Sequence, residues 1–214
     1  MEPDAVEIRV VGCLVEKQRT TPDQYPLTLN SVRLACNQST NRDPVVDYDE
    51  ATVRTALDRL VGRRWATLAS WSTARSVKYK HLLDHALGLS DPQVALIAVL
   101  MLRGPQTPGE LRQRTERIYR FDSAEELDRT LEELVERELV ASLERRPGER
   151  GQRYAHRLGE AEEEPAAAPT APAAATAAPV AISDDGLAGR VERLETEVAR
   201  LREQLRSLRD ELGA

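Results

Sequence analysis

The sequence predicts a mainly α-helical fold with small β-hairpins, in which one structural unit occurs twice. Apolar residues recur at helical spacing from Glu50 to Arg64, and two short, alternating, β-prone segments follow at residues 65–70 and 77–82. Residues 123–139 repeat the helical stripe at the same offsets, and a second β-prone pair follows them. A helix that leads into a two-stranded hairpin is typical of a winged helix-turn-helix domain, so we predict two of these in tandem.

Two further helices are predicted ahead of the third helix of the first unit. Asp4 is placed to cap a helix over residues 5–19. Prolines then hold the backbone extended before a second helix over residues 28–37. Either Asp47 or Asp49 can cap the third helix, which follows a polar loop.

The second unit begins with a helix that is apolar on nearly every side. Ser90 is placed to cap this helix over residues 91–102, and its composition predicts that it packs against both units. Thr107 and Glu110 have the spacing of a capping box and predict a short second helix. The third helix, over residues 123–139, is acidic, so repulsion from phosphate makes it unsuited to a DNA groove.

These patterns divide the chain into a first winged-helix domain over residues 1–88, a second over 89–158, an Ala/Pro/Glu linker over 159–186 and a helix over 187–214. The linker composition predicts disorder. The last segment has a heptad pattern that favours a parallel coiled-coil homodimer, although a single helix that packs back on the body is the competing interpretation. The predicted dimerisation residues are Leu187, Val191, Leu194, Val198, Leu201, Leu205, Leu208 and Leu212.

The net charge of −6 is unevenly distributed. Residues 159–214 carry the whole deficit, whereas basic residues outnumber acidic ones between residues 54 and 80, with Asp58 the single acidic residue there. On the third helix of the first unit, small hydroxyl and arginine side chains face away from the apolar stripe, which suits a DNA groove; an ordinary solvated face is the alternative. The predicted DNA-contacting residues are Thr52, Arg54, Thr55, Arg59, Arg63, Arg75, Lys78 and Lys80.

Several motifs in the first 111 residues also occur together in a known family. They are Arg9–Lys17, Thr21–Asn30, Ala35–Gln38, Asn41–Pro44 and Leu102–Leu111. Together they resemble the YceH family, a group of bacterial proteins without an assigned biochemical function, over about residues 5–158. The resemblance implies two winged-helix domains in tandem and no reaction, ligand or target.

The sequence gives little support to enzyme chemistry, and we predict no catalytic residue, metal or cofactor. Cys13 and Cys36 are expected to be buried thiols, and His81 and His85 are expected to be structural. The polar residues between 37 and 43 either form a small-ligand pocket or make capping and loop hydrogen bonds, the simpler interpretation. The sequence has no apolar run of membrane-spanning length and no signal-peptide pattern, which predicts a cytoplasmic location.

Two functions remain open. The first is a dimeric DNA-binding protein of the transcription-regulator kind, which docks the third helix and hairpin of its first domain on duplex DNA. The second is a protein-interaction scaffold of tandem winged helices, as in some chromosome-segregation accessory proteins. In that case a protein partner would bind the acidic third helix of the second domain.

Overall fold

A computed structural model describes residues 2–69, 76–143 and 151–159, and all of these lie within one compact unit, Met1–Glu164. The fold of these residues is mixed, with α-helices and small antiparallel sheets. The elements are, in order, α1 (Ala5–Thr20), β1 (Leu27–Thr28), α2 (Leu29–Cys36), α3 (Glu50–Gly62), β2 (Ala66–Ala69), β3 (Lys78–His81), α4 (Leu83–Leu87), α5 (Asp91–Arg103), α6 (Pro108–Thr115), α7 (Ala124–Glu136), β4 (Val140–Leu143) and β5 (Arg153–His156).

The helices begin where the capping residues predict. Asp4 Oδ1 accepts the backbone N–H of Glu7 at 2.8 Å, and the Glu7 carboxylate accepts the N–H of Asp4 at 3.1 Å. This reciprocal pair satisfies two amide groups that the first turn of α1 would otherwise leave unpaired. Thr107 and Glu110 form the same arrangement at the start of α6. Of the two aspartates proposed for α3, Asp49 is the cap.

The first half contains a three-stranded antiparallel sheet rather than the predicted two-stranded hairpin. Its strand order is β1–β3–β2, because Leu27 of the proline-rich segment pairs with Tyr79 at the other edge of β3. Short helix α4 was also not predicted. The pairing of β1 depends on residues distant in sequence, which local patterns do not report.

The second half repeats the first. A single bridge between Gln106 and Tyr154 stands where Leu27 pairs with Tyr79, and β4 and β5 form the hairpin. Each third helix is followed by a residue of positive φ, Arg64 (62°) after α3 and Glu138 (57°) after α7. In both halves the amide of the next residue donates to a carbonyl of the helix, at 2.9 and 3.0 Å, so the two helices end in the same way.

Helix α5 is the centre of the core. Every residue from Gln93 to Leu102 is buried, because α5 packs against α1 on one side and against α6, α7 and β5 on the other. This agrees with the expectation that it contacts both units. Gly12 of α1 lies directly against Leu102, where an added Cβ would be 3.1 Å from the leucine side chain. No helix in the described part of the chain is long and apolar enough to cross a membrane.

Several predictions concern residues outside the described ranges. They include all of the linker after Gly159 and the coiled coil of residues 187–214 with its dimerisation residues. The turns of both hairpins are also outside, at residues 70–75 and 144–150, and Arg75 belongs to the first of these.

Candidate nucleic-acid interface

The outward face of α3 carries the side chains that the helical pattern placed there. The apolar stripe is fully buried at Val53, Leu57 and Leu60, so the opposite side of the helix faces solvent. The predicted contact residues on that side are Thr52, which is half-buried, and Arg54, Thr55 and Arg59, which are exposed.

The two lysines of β3 lie on one face of the sheet. Tyr79 and His81 alternate with them and are buried at 6% and 4% exposure, so Lys78 and Lys80 point the other way. Lys78 pairs across the sheet with Thr28, the N-cap residue of α2. The face of β3 that carries these lysines therefore lies next to the start of α2.

The arginines of α3 have acidic partners that the local count of charges did not include. Arg54 Nη2 lies 2.7 Å from Glu50 Oε1, and Arg59 Nη1 lies 2.7 Å from Asp4 Oδ2. The interpretation that Asp58 alone opposes these charges is therefore corrected. Both pairs are about half exposed, and ion pairs of this kind contribute only about 0–1 kcal/mol, so a phosphate can replace the carboxylate at low cost.

Arg63, unlike Arg54 and Arg59, binds a buried carboxylate and a backbone carbonyl near the start of α1. Its Nε donates to Glu7 Oε1 at 2.9 Å, and its Nη2 donates to the carbonyl of Glu2 at 3.0 Å. The Glu7 side chain is only 2% exposed, so Arg63 neutralises a buried carboxylate and joins the end of α3 to the start of α1. We therefore revise its predicted place at the flank of the DNA face. A helical wheel of α3 alone cannot show this contact.

The first turn of α3 is acidic. Asp47, Asp49 and Glu50 lie at or before the helix start, and hydrogen bonds from Thr52 hold the pKa of Asp49 below its usual range. Basic side chains begin only further along the helix and end with exposed Arg64, which the sequence analysis did not select as a contact residue. The surface suited to phosphate is thus the middle and end of α3 together with β3.

The equivalent surface of the second half has the opposite charge. Asp128 and Glu133 of α7 occupy the positions of Arg54 and Arg59 of α3, and both are exposed. The charge difference between the two third helices is therefore present at the molecular surface and does not arise from buried residues.

The polar loop between α2 and α3 is held by hydrogen bonds. The buried Arg42 guanidinium donates to Glu16 at 2.6 and 3.1 Å and to the carbonyl of Ala35 at 3.0 Å. Burial alone would raise the pKa of Glu16, but the Arg42 contacts outweigh it and lower that pKa. The side chain of Asn37 donates to the carbonyl of Tyr48 through Nδ2 and accepts the backbone N–H of Tyr48 at Oδ1, both at 2.9 Å. These contacts agree with the simpler interpretation of most of this cluster.

The two cysteines are buried, as expected, and His81 is buried as well. Cys13 and Cys36 are free thiols that contact each other, and the hydrogen bond from this contact, together with burial, raises the pKa of Cys36. His81 Nε2 lies 2.6 Å from Gln18 Oε1, and its Nδ1 accepts the amide of Leu83 at 3.3 Å. That pattern fits the neutral tautomer with a proton on Nε2, and burial lowers the pKa of His81 to about 4.

Comparison with known proteins places this chain in a family. Residues 4–149 match the model of a family described as "Protein of unknown function, DUF480". A UPF0502 protein of Azotobacter vinelandii (strain DJ / ATCC BAA-1303) is 49% identical over 160 residues, which cover 75% of this chain and 71% of the relative. UPF0502 protein Shewmr4_1554 of Shewanella sp. (strain MR-4) is 47% identical over 174 residues, 78% of each chain. The chain therefore belongs to the DUF480 family, a bacterial family without an assigned biochemical function.

Proposed function

We propose that the protein is a non-enzymatic, cytoplasmic DNA-binding protein whose halves are two winged helix-turn-helix domains, the architecture that the YceH resemblance implies. The order of helices and strands in each half supports this assignment. In that fold the outer face of the third helix and the adjacent hairpin meet the duplex. The observation that supports the proposal best is that these elements carry basic side chains in the first half: Arg59 is exposed on α3, and Lys78 and Lys80 lie on one face of β3.

The charges favour one mode of docking. The acidic first turn of α3 is repelled by phosphate, so the helix meets DNA with its middle and C-terminal turns. Arg59 and Arg64 then contact phosphate or guanine edges, while Lys78 and Lys80 contact a neighbouring phosphate row. Arg54 contributes once it leaves Glu50, and Thr52 and Thr55 are secondary contacts on the same helix. Arg75 lies outside the described residues and stays a predicted contact.

We also propose that the protein acts as a homodimer through the heptad segment of residues 187–214. Two copies of the α3 surface would then bind two half-sites, and this raises affinity by linking the binding events. Light scattering of the full chain is expected to give twice the monomer mass. Leu194→Glu with Leu201→Glu should give the monomer mass and weaker DNA binding. A monomeric wild type would contradict the dimer and leave the DNA surface to be tested separately.

The DNA proposal is tested by a fluorescence titration of duplex DNA with the full chain at low salt. Wild type should bind, with affinity that falls steeply as salt rises. Arg59→Glu with Lys78→Glu should weaken binding by at least about tenfold, because two phosphate contacts become repulsive. The matched control is Arg112→Glu with Arg129→Glu, which makes the same charge change on exposed residues of α6 and α7. Equal affinity of the two double variants would refute this surface, provided that both variants melt as wild type does.

A second function is favoured by one specific observation, the acidic outer face of α7. Asp128, Glu132 and Glu133 are exposed on this face, and they would suit a basic protein partner rather than DNA. On this alternative the protein is a scaffold. This alternative predicts that the protein does not shift the gel mobility of random DNA at low salt. It also predicts that a pull-down recovers one protein partner in stoichiometric amount. Asp128→Arg with Glu132→Arg should release that partner, while Arg59→Glu with Lys78→Glu should retain it.

A further inference from the structure

A cavity of about 420 Å³ lies away from the α3 surface, between the ends of α1 and α5, the loop after α2, and α6 with its following turn. One part of its wall is apolar and is formed by Val99, Leu102 and Ile118. The remainder is polar and includes Asn41 and three arginines. The arginines are Arg103, Arg114 and Arg117.

The positive charges of this cavity are not balanced by its acidic groups. Glu16 is the carboxylate in the lining, and it is already bound to buried Arg42 at 2.6 Å. Arg103 donates to the neutral side-chain oxygen of Asn41 and forms no ion pair with a described carboxylate. Arg117 is exposed and has no hydrogen bond or ion pair with another residue that the structure describes.

Among contacts between described residues, Arg114 is the one lining arginine with an ion pair, to Glu110 at 3.2 Å on the same helix. A pair of this exposure is weak, so the guanidinium can turn to another anion. The pKa of Arg103 is lowered, first by burial and then by the nearby positive charges of Arg114 and Arg42. The negative charges of Glu16 and Asp43 offset part of this effect. A bound anion would relieve the repulsion among these arginines.

We propose that this cavity binds a small molecule that carries a phosphate group. A phosphate monoester has a charge of about −1.5 to −2 at neutral pH, which matches the excess of arginine over carboxylate. A guanidinium group can donate two parallel hydrogen bonds to two oxygens of one phosphate. Arg103, Arg114 and Arg117 all line this cavity. The apolar wall leaves room for the organic part of the ligand, and the volume falls in the ordinary range for small-molecule sites. This site is independent of the DNA-binding proposal.

The test is calorimetric titration of the full chain with inorganic pyrophosphate, with citrate and sulfate at matched ionic strength as comparisons. Saturable binding of pyrophosphate is expected. Arg103→Gln and Arg117→Gln should each weaken it by about tenfold, the scale of one lost charge-assisted hydrogen bond. Arg112→Gln is the matched control, since this exposed arginine lies on α6 outside the cavity. Arg117→Gln breaks no described contact, so its loss of binding cannot be attributed to misfolding.

Three outcomes would overturn the proposal. The first is absence of saturable pyrophosphate binding, or the same loss in Arg112→Gln as in the cavity variants. The second is equal binding of citrate, which would make the site a general oxyanion site. The third is displacement of pyrophosphate by duplex DNA together with weaker DNA binding by Arg117→Gln, which would make the cavity part of a nucleic-acid surface.

Discussion

Arg59 of α3 and Asp4, the N-cap residue of α1, form an ion pair in which Nη1 and Oδ2 are 2.7 Å apart. The aspartate therefore has two roles, since its other oxygen caps the helix. The pair places a negative charge beside the arginine on which the proposed DNA surface depends. On the proposed function, DNA would have to compete with Asp4 for this guanidinium.

Removing that competition should strengthen DNA binding. Asp4→Asn keeps a good N-cap residue but removes the charge. We expect affinity at low salt to rise about two- to fivefold, the scale of one exposed ion pair. Fluorescence titration of duplex DNA measures the change. Asp23→Asn is the control, because it removes one negative charge from an exposed residue far along the chain. Equal gains in both variants would mean that only net charge matters.

Stability should fall as the solution becomes mildly acidic. Burial lowers the pKa of both His81 and His156 to about 4, against about 6.5 in an unfolded chain. Between these values the unfolded state binds more protons, so the stabilisation present above about pH 6.5 is lost as pH falls toward 4. We expect a loss of about 1–2 kcal/mol per histidine at pH 5, measured by urea unfolding at about pH 5 and pH 7.5.

The third histidine provides the control for this prediction. His85 is exposed, so His85→Ala should leave the pH dependence unchanged. His81→Gln with His156→Gln should lower stability at neutral pH and flatten the decline between pH 6.5 and 5. A wild type equally stable at both pH values would show that the histidines do not control this range.

The contact between α1 and α5 should not tolerate a larger residue at position 12. Gly12→Val is expected to cost about 1–3 kcal/mol, because an added Cβ would lie 3.1 Å from Leu102 and 3.3 Å from Met101 before the methyl groups are counted. Denaturant unfolding measures this cost. Gly62→Val is the matched control, since a Cβ at Gly62 meets nothing within 4 Å. A loss at position 12 no larger than the loss at position 62 would mean that packing against Leu102 and Met101 is not its cause.

The buried pair of Arg42 and Glu16 should be far more important than an exposed pair. Arg42→Met leaves the Glu16 carboxylate without its main partner, and we expect a loss of about 3–5 kcal/mol. Arg54→Met breaks the exposed pair with Glu50 and should cost less than about 1 kcal/mol. Urea unfolding compares the two, and adding Glu16→Gln should recover part of the first loss. A small effect of Arg42→Met would mean that water replaces the guanidinium.

Local sequence signals predicted most of the helices. Capping by Asp4 and by Thr107 depends on residues three positions apart, so both helix starts were readable from the sequence. Strand β1 was not, because Leu27 pairs with a residue 52 positions later and has no strand pattern of its own. The repeat itself was found because its apolar positions have the same spacing in both copies.

The sequence predicted which side chains of α3 face outward, but it did not predict which acidic groups lie beside them. The periodicity of α3 placed Arg54, Thr55 and Arg59 outward. It could not place Asp4 beside Arg59 or Glu7 beside Arg63, since these residues are more than 50 positions apart. The arginine cavity is missed for the same reason, because four separate segments supply its walls.

The burial of α5 against both halves has a consequence for any assembly that this protein forms. Since one helix serves both halves, they have no flexible joint between them within the described residues. A duplex on α3 and a protein on α7 would be held at a single angle, which is fixed before either binds. A ligand that met both proposed surfaces at once would have to match that angle, so selection would rest on geometry as well as on charge.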